Sequence, residues 1–143
     1  MMNDILTTLT NRRNFTTLRA ALVATHLDEA LLHTDSLTLF APDDVAFGHL
    51  PDAVFATLMH DRGELARLLT THLIPRRLRA ADFFWLQALE TMAGTPLPVW
   101  VDGSCIQLNH KARVTTPNIE CTNGVVHVVD HVLWSQNASL AAA

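Results

Sequence analysis

Apolar positions recur at helical spacing through the first part of the chain. Residues 3–34 read as three short helices. Ile5, Leu6 and Leu9 line the first, with Asn3 or Asp4 as its cap; Phe15, Leu18, Leu22 and Val23 line the second, with Asn14 as cap candidate. Leu27, Leu31 and Leu32 continue the stripe on the third, and Asp35-Ser36 ends it. A short apolar strand is expected over 37–40, stopped by Pro42, with Asp43 or Asp44 capping a turn that carries Val45, Ala46 and Phe47. A helix over 52–59 follows Leu50-Pro51, Arg62-Gly63 breaks it, and a second run over 64–71 aligns Leu65, Leu68 and Leu69. His72-Leu73-Ile74 reads as a brief strand before Pro75, and 81–86 as a short helix. In that helix Phe83, Phe84 and Trp85 are expected to pack in the core and at its rim.

From Leu89 the period changes to two. Leu97, Val99 and Val101 alternate with Pro98 and Trp100, Asp102-Gly103 turns the chain, and Ile106 and Leu108 return. Strands over 114–116 and 119–122 lead to Asn123-Gly124 and the β-branched run that begins at Val125. Asn-Gly suits a two-residue type I′ turn, whose central residues both need positive φ. With Asn123-Gly124 as the loop, Cys121 faces Val126, Glu120 faces His127 and Ile119 faces Val128. Ile119, Cys121, Val126 and Val128 then share an apolar face, opposite Glu120 and His127. Short strands without intervening helices predict mainly antiparallel pairing, and a helical block followed by strands predicts an α+β domain.

Asn123-Gly124-Val125-Val126-His127-Val128-Val129-Asp130-His131-Val132-Leu133 is similar to the second signature of the fasciclin family, and Leu37-Thr38-Leu39-Phe40-Ala41-Pro42-Asp43-Asp44-Val45-Ala46-Phe47 to the first. Leu68-Leu69-Thr70-Thr71-His72-Leu73-Ile74-Pro75 resembles the family's tyrosine–histidine segment, with Thr71 in the tyrosine's place. Leu89 to Gly94, Val99, Leu108-Asn109 and Ala112 match the strands between. The resemblance implies a wedge of two small, mainly antiparallel β-sheets with N-terminal and central α-helices packed around one end. Residues 1–135 would form the one domain and 136–143 a C-terminal tail.

At 143 residues, 49% hydrophobic and 17% charged, the chain is long enough and apolar enough for one folded domain. Ten basic against fourteen acidic residues leave a net charge of −4, which provides no footprint for nucleic acid. Arg76-Arg77-Leu78-Arg79 is the compact basic stretch and reads as a solvated loop. No run reaches the ~20 apolar residues of a membrane span, and the N-terminus lacks a signal-peptide pattern. Cys105 and Cys121 allow one disulfide at most, with free buried cysteine as the simpler reading.

Chemistry finds little support. Asp43-Asp44 reads as a helix cap more readily than as an acid–base pair, because a carboxylate there satisfies free N–H groups. His127 and His131 lie four apart, a spacing that on a strand separates them by about 13 Å. His49, His60, His72 and His110 make no metal motif. Ser104 sits in a turn, without a nucleophile elbow, and no phosphate loop or dinucleotide fingerprint is present. Glu120 and His127 across the hairpin would make a structural, charge-assisted contact. No catalytic residue, metal or cofactor is expected.

Function is therefore what the resemblance implies. That is a non-enzymatic module, single-domain and bacterial, secreted or periplasmic, binding a cell-surface or matrix protein or polysaccharide as a monomer. The alternative is a small-ligand binder with an apolar pocket between helices and sheet. Some animal members carry an adhesive proline-aspartate-isoleucine motif before the Asn-Gly turn; here it is Pro117-Asn118-Ile119, without the carboxylate. His72, the retained histidine of the tyrosine–histidine segment, is the other partner-binding candidate that the resemblance suggests, although both His72 and His127 also suit a structural role.

Overall fold

The computed structural model describes residues 3–34, 36–103, 105–109 and 112–133. Ser104, His110 and the expected tail at 136–143 lie outside them. Three helices, α1 (Ile5–Asn11), α2 (Thr16–Ala24) and α3 (Leu27–Leu32), precede strand β1 (Leu37–Pro42). Then come α4 (Asp44–Gly48), α5 (Asp52–His60), α6 (Arg62–Thr71), β2 (Leu73–Ile74) and a 3₁₀ helix, Ala80–Trp85. Five strands close the described chain: β3 (Ala88–Glu90), β4 (Pro96–Asp102), β5 (Cys105–Leu108), β6 (Ala112–Cys121) and β7 (Gly124–Val129). Helices followed by a meander bear out the α+β class.

The two small sheets expected from the resemblance are instead one seven-stranded sheet, ordered β2-β1-β7-β6-β5-β4-β3. It curls until its ends nearly meet, for the Met92 amide just past β3 donates to the Leu73 carbonyl of β2 at 2.8 Å. Pairing is antiparallel except between β1 and β7, which run parallel from Leu37 beside Gly124 to Pro42 beside Val129. Both of these strands are buried on both faces, as their near-continuous apolar runs require. Leu37, Leu39, Ala41, Val126 and Val128 enter a core shared with the helices; Phe40 and Val129 enter a second core with Phe83, Leu97, Val99, Ile106 and Leu108.

The last hairpin departs from its expected register. Cys121 pairs with Gly124, Glu120 with Val125 and Ile119 with Val126, so the loop is Thr122-Asn123. Neither Asn123 nor Gly124 has positive φ. The glycine is required by space: a Cβ on Gly124 would lie 2.1 Å from the Leu37 carbonyl oxygen of β1. Asn123 is a tie, its side chain accepting from the Ile5 amide (2.9 Å) and donating to the Leu31 carbonyl (2.8 Å). The register differs from expectation by two residues, which keeps every side chain on its face. Ile119, Cys121, Val126 and Val128 do share one core, whereas Glu120 and His127 are not opposite each other.

Helix starts agree at Asp4 and Asp43 and differ at Asn14. Asp4 caps α1 through the Thr7 amide (2.6 Å). Asn14 does not cap α2; the Asp44 carboxylate, from α4, accepts from the Thr17 amide at 2.9 Å and the Thr16 amide at 3.4 Å. Asp43 caps its own helix through the Ala46 amide (2.8 Å), so both adjacent carboxylates serve helix starts. Arg62-Gly63, expected to break a helix, opens α6 under an Asp61 cap. Phe83 is buried, but Phe84 and Trp85 stand in solvent, against the packing expected of them.

Candidate interaction site

The basic run 76–79 is no free loop. It starts a strap, residues 76–80, that backbone and side chains of β1, β6 and β7 hold at every second residue. Buried Thr38 of β1 donates its hydroxyl to the Arg76 carbonyl (2.6 Å) and accepts from the Leu78 amide (2.8 Å). His127 of β7 bonds the Leu78 carbonyl through Nε2 (2.9 Å). Asn118 of β6 accepts from the Ala80 amide through Oδ1 (2.7 Å). Between these points Arg77 reaches Glu120 Oε2 (3.0 Å) and the Cys121 carbonyl (2.9 Å), and Arg79 Nε reaches Glu120 Oε1 (2.9 Å). Glu120, expected to meet His127, is committed to two arginines.

Pro117-Asn118-Ile119 forms the irregular part of β6, where its register against β7 shifts between Thr116 and Ile119. Asn118 takes the left-handed conformation (φ 60°), which asparagine tolerates better than most residues. Its amide donates to His127 Nδ1 (3.1 Å). That bond fixes the tautomer: Nδ1 accepts, so the proton is on Nε2, facing the Leu78 carbonyl. Burial pulls the His127 pKa below its ordinary value, more strongly than the Leu78 carbonyl and the Glu120 charge raise it. The ring packs against both Phe40 and Phe83, with centroids 5.7 and 5.2 Å away. Pro117 is exposed and Ile119 half-buried against the helical core.

His72 is elsewhere, at the C-terminal cap of α6, and is wholly buried. Its Nε2 accepts from the Leu133 amide (2.9 Å), so Nδ1 carries the proton and donates to the Leu68 carbonyl (2.8 Å). Burial brings its pKa down to about 4. It shares no bonding partner with Pro117, Asn118 or Ile119, and its ring supports the fold from within. His131 stacks on His49 (centroids 4.5 Å) and contacts Asp130 at 2.9 Å, away from His127's partners.

Burial pushes the Cys121 thiol up, which keeps it protonated, and both cysteines are free. Among the described residues no three His, Cys, Asp or Glu side chains are placed to hold a metal ion. No helix among them is long and apolar enough to cross a membrane. A cleft of about 240 Å³ lies among α2, α4 and α5, lined by Thr17, Asp44, Phe47, Gly48, Leu50, Asp52 and Phe55. It is open and lined by helices and the turn between α4 and α5, with no strand residue in its lining, unlike the helix–sheet pocket of the small-ligand reading. Sequence reasoning missed Thr38 and the strap; the one available signal was a hydroxyl inside the apolar run 37–41.

The fasciclin domain family matches residues 13–135. The chain is 32% identical over 133 residues to the uncharacterized protein sll1735 of Synechocystis sp., covering 92% of this chain and 98% of that one. It is 30% identical to transforming growth factor-beta-induced protein ig-h3 of Sus scrofa, over 96% of this chain and 21% of that protein. Periostin of Homo sapiens is 31% identical over 84% of this chain, which spans 14% of periostin. Among solved structures, a FAS1 domain pair from the insect cell adhesion molecule fasciclin I superposes with a TM-score of 0.80 at 19% identity, over 94% of this chain and 51% of that one.

Proposed function

The chain belongs to the fasciclin domain family, and on that premise we propose that it is a non-enzymatic adhesion module whose contact face is built on the β6 irregularity and the strap beside it. The module comprises residues 1–135, followed by a tail at 136–143, and acts outside the cytoplasm, secreted or periplasmic. It holds a protein or polysaccharide of a cell surface or matrix by non-covalent contacts. One observation carries the reading: the polar groups of the signature residues Thr38 and His127, and of Asn118, turn inward to fix a strap, leaving a rigid surface with no activated nucleophile among the described residues. Pro117 stands exposed, three residues before Glu120, which Arg77 and Arg79 both reach. A preorganised face of this kind loses little entropy on binding.

Purified protein at micromolar concentration should be retained on intact cells of its source or on beads of their surface polysaccharide. Pro117→Arg, which places a bulky charge on the face without removing a backbone donor, should cut retention several-fold and leave the far-ultraviolet spectrum unchanged. Equal recovery of both proteins in the unbound fraction would end the adhesion reading. Fractionation of the native source tests the compartment: recovery confined to the cytoplasm would contradict it.

A further inference from the structure

The strap runs on into an aromatic corner. Trp85, at the end of the 3₁₀ helix, is 88% exposed, Phe84 is 62% exposed, and Trp100 of β4 is 49% exposed. Among the described residues these three are the exposed Phe and Trp side chains, while Phe15, Phe40, Phe47 and Phe83 are buried. The chain after Trp85 runs antiparallel to β4: the Val99 amide donates to the Gln87 carbonyl, and Ala88 pairs with Pro98. Trp85 and Trp100 therefore leave neighbouring backbones at one corner of the sheet. Across the ladder Trp100 pairs with Gln107, and Gln107 with Arg113, so indole, amide and guanidinium stand in a row on one outer face.

Grouped exposed aromatics on a rigid sheet mark a docking surface, and the chemistry of the row selects its occupant. Indole faces stack on the C–H faces of pyranose rings, and an amide with a guanidinium supplies donors and an acceptor to their hydroxyls. The described charges at the corner are mixed and balanced, Asp82 and Asp102 against Arg79 and Arg113, so a strongly charged polymer gains nothing there. An amphipathic membrane contact would need a cationic border that these residues do not form. We propose that the corner formed by Phe84, Trp85, Trp100, Gln107 and Arg113 binds an uncharged polysaccharide. This rests on the adhesion reading and names its partner, at a corner that the strap reaches through the 3₁₀ helix.

The test is affinity electrophoresis of the intact protein in gels containing hydroxyethylcellulose, galactomannan or glycogen, alongside retention on source cells treated with periodate or with protease. Retardation in at least one gel is expected. Trp85→Ala should weaken it about tenfold, as loss of an anchoring aromatic does, and Trp85→Phe should recover most of it. Trp85 is exposed enough that its loss leaves the fold intact; Trp100→Thr retains β-propensity and should weaken binding in the same direction. Periodate should abolish cell retention and protease should not. Failure to be retarded in all three gels, or retardation of Trp85→Ala and Trp100→Thr equal to that of the parent protein, overturns the proposal while cell retention keeps the adhesion reading standing. Protease-sensitive, periodate-resistant retention assigns the corner to a protein, and Trp85-dependent binding to anionic phospholipid vesicles assigns it to a membrane; either also overturns it. Loss of retention on untreated cells would sink both readings together.

Discussion

Gly124 and Asn118 show how one residue type can be required for reasons that a sequence motif conceals. Asn-Gly suggested a turn with positive φ, yet the glycine is needed because β1 passes too close for any Cβ. Gly124→Ala must push β1 and β7 apart where they pair, and a backbone oxygen cannot rotate out of the way. We expect a loss of about 3 kcal/mol, the upper end of overpacking costs, in urea denaturation. Gly103 is the control, with φ 63° and open space around it, so Gly103→Ala should cost only about 1 kcal/mol through backbone strain. Asn118→Ala loses the Ala80 bond and puts alanine at φ 60°, for an expected cost of about 2 kcal/mol. Asn118→Asp keeps the acceptor and should stay within about 0.5 kcal/mol of the parent, measured the same way. Its carboxylate would be turned toward the Ala80 amide, so restoring the family's aspartate should not by itself create an outward-facing acid.

At the scale of elements, existence could be read and attachment could not. Apolar spacing located every helix and nearly every strand, because that signal is local: Leu18 and Leu22, or Leu65, Leu68 and Leu69, bury one face wherever the helix docks. Caps that arrive through space leave no such trace. α2 has Phe15 at its N-cap, which makes no side-chain cap bond, and depends on Asp44, 28 residues beyond Thr16. Asp44→Ala should therefore lower stability by about 1 kcal/mol in thermal melts, whereas Asn14→Ala, which leaves the carbonyl that Asp44's amide uses, should be near neutral. The reverse ranking would restore the local cap. The strap escaped notice for the same reason: its three anchors, Thr38, His127 and Asn118, lie 38, 49 and 38 residues from the strap residues they hold. Its aromatic continuation looked like core because Phe83, Phe84 and Trp85 are equally apolar on paper, and only the 3₁₀ path buries the first while exposing the others.

For the whole molecule, the closing of seven strands into one curled sheet depends on long-range contacts, and two buried histidines report on them. His72 joins the end of α6 to Leu133 beyond β7, and His127 joins β6, β7 and the strap. Each ring donates at one nitrogen and accepts at the other, a duty only neutral imidazole performs. Protonating His72 turns Nε2 from acceptor into donor, facing the Leu133 amide. Its pKa is about 4 in the fold against 6.5 when unfolded, so between those values the unfolded chain binds the extra proton and the folded one does not. Stability is then full above pH 6.5 and falls as pH drops toward 4, by about 3 kcal/mol for the 2.5-unit gap. His127, lowered for the same reason, adds in the same direction. Urea midpoints measured from pH 7.5 to 4 should follow this slope. His72→Asn can keep the donor to Leu68 but not the acceptor for Leu133; it should be less stable at pH 7.5 and lose most of the His72 share of the slope. An unchanged slope in that variant would mean that acid acts through His127 or the carboxylates, and that the tie between α6 and Leu133 contributes nothing to the pH response.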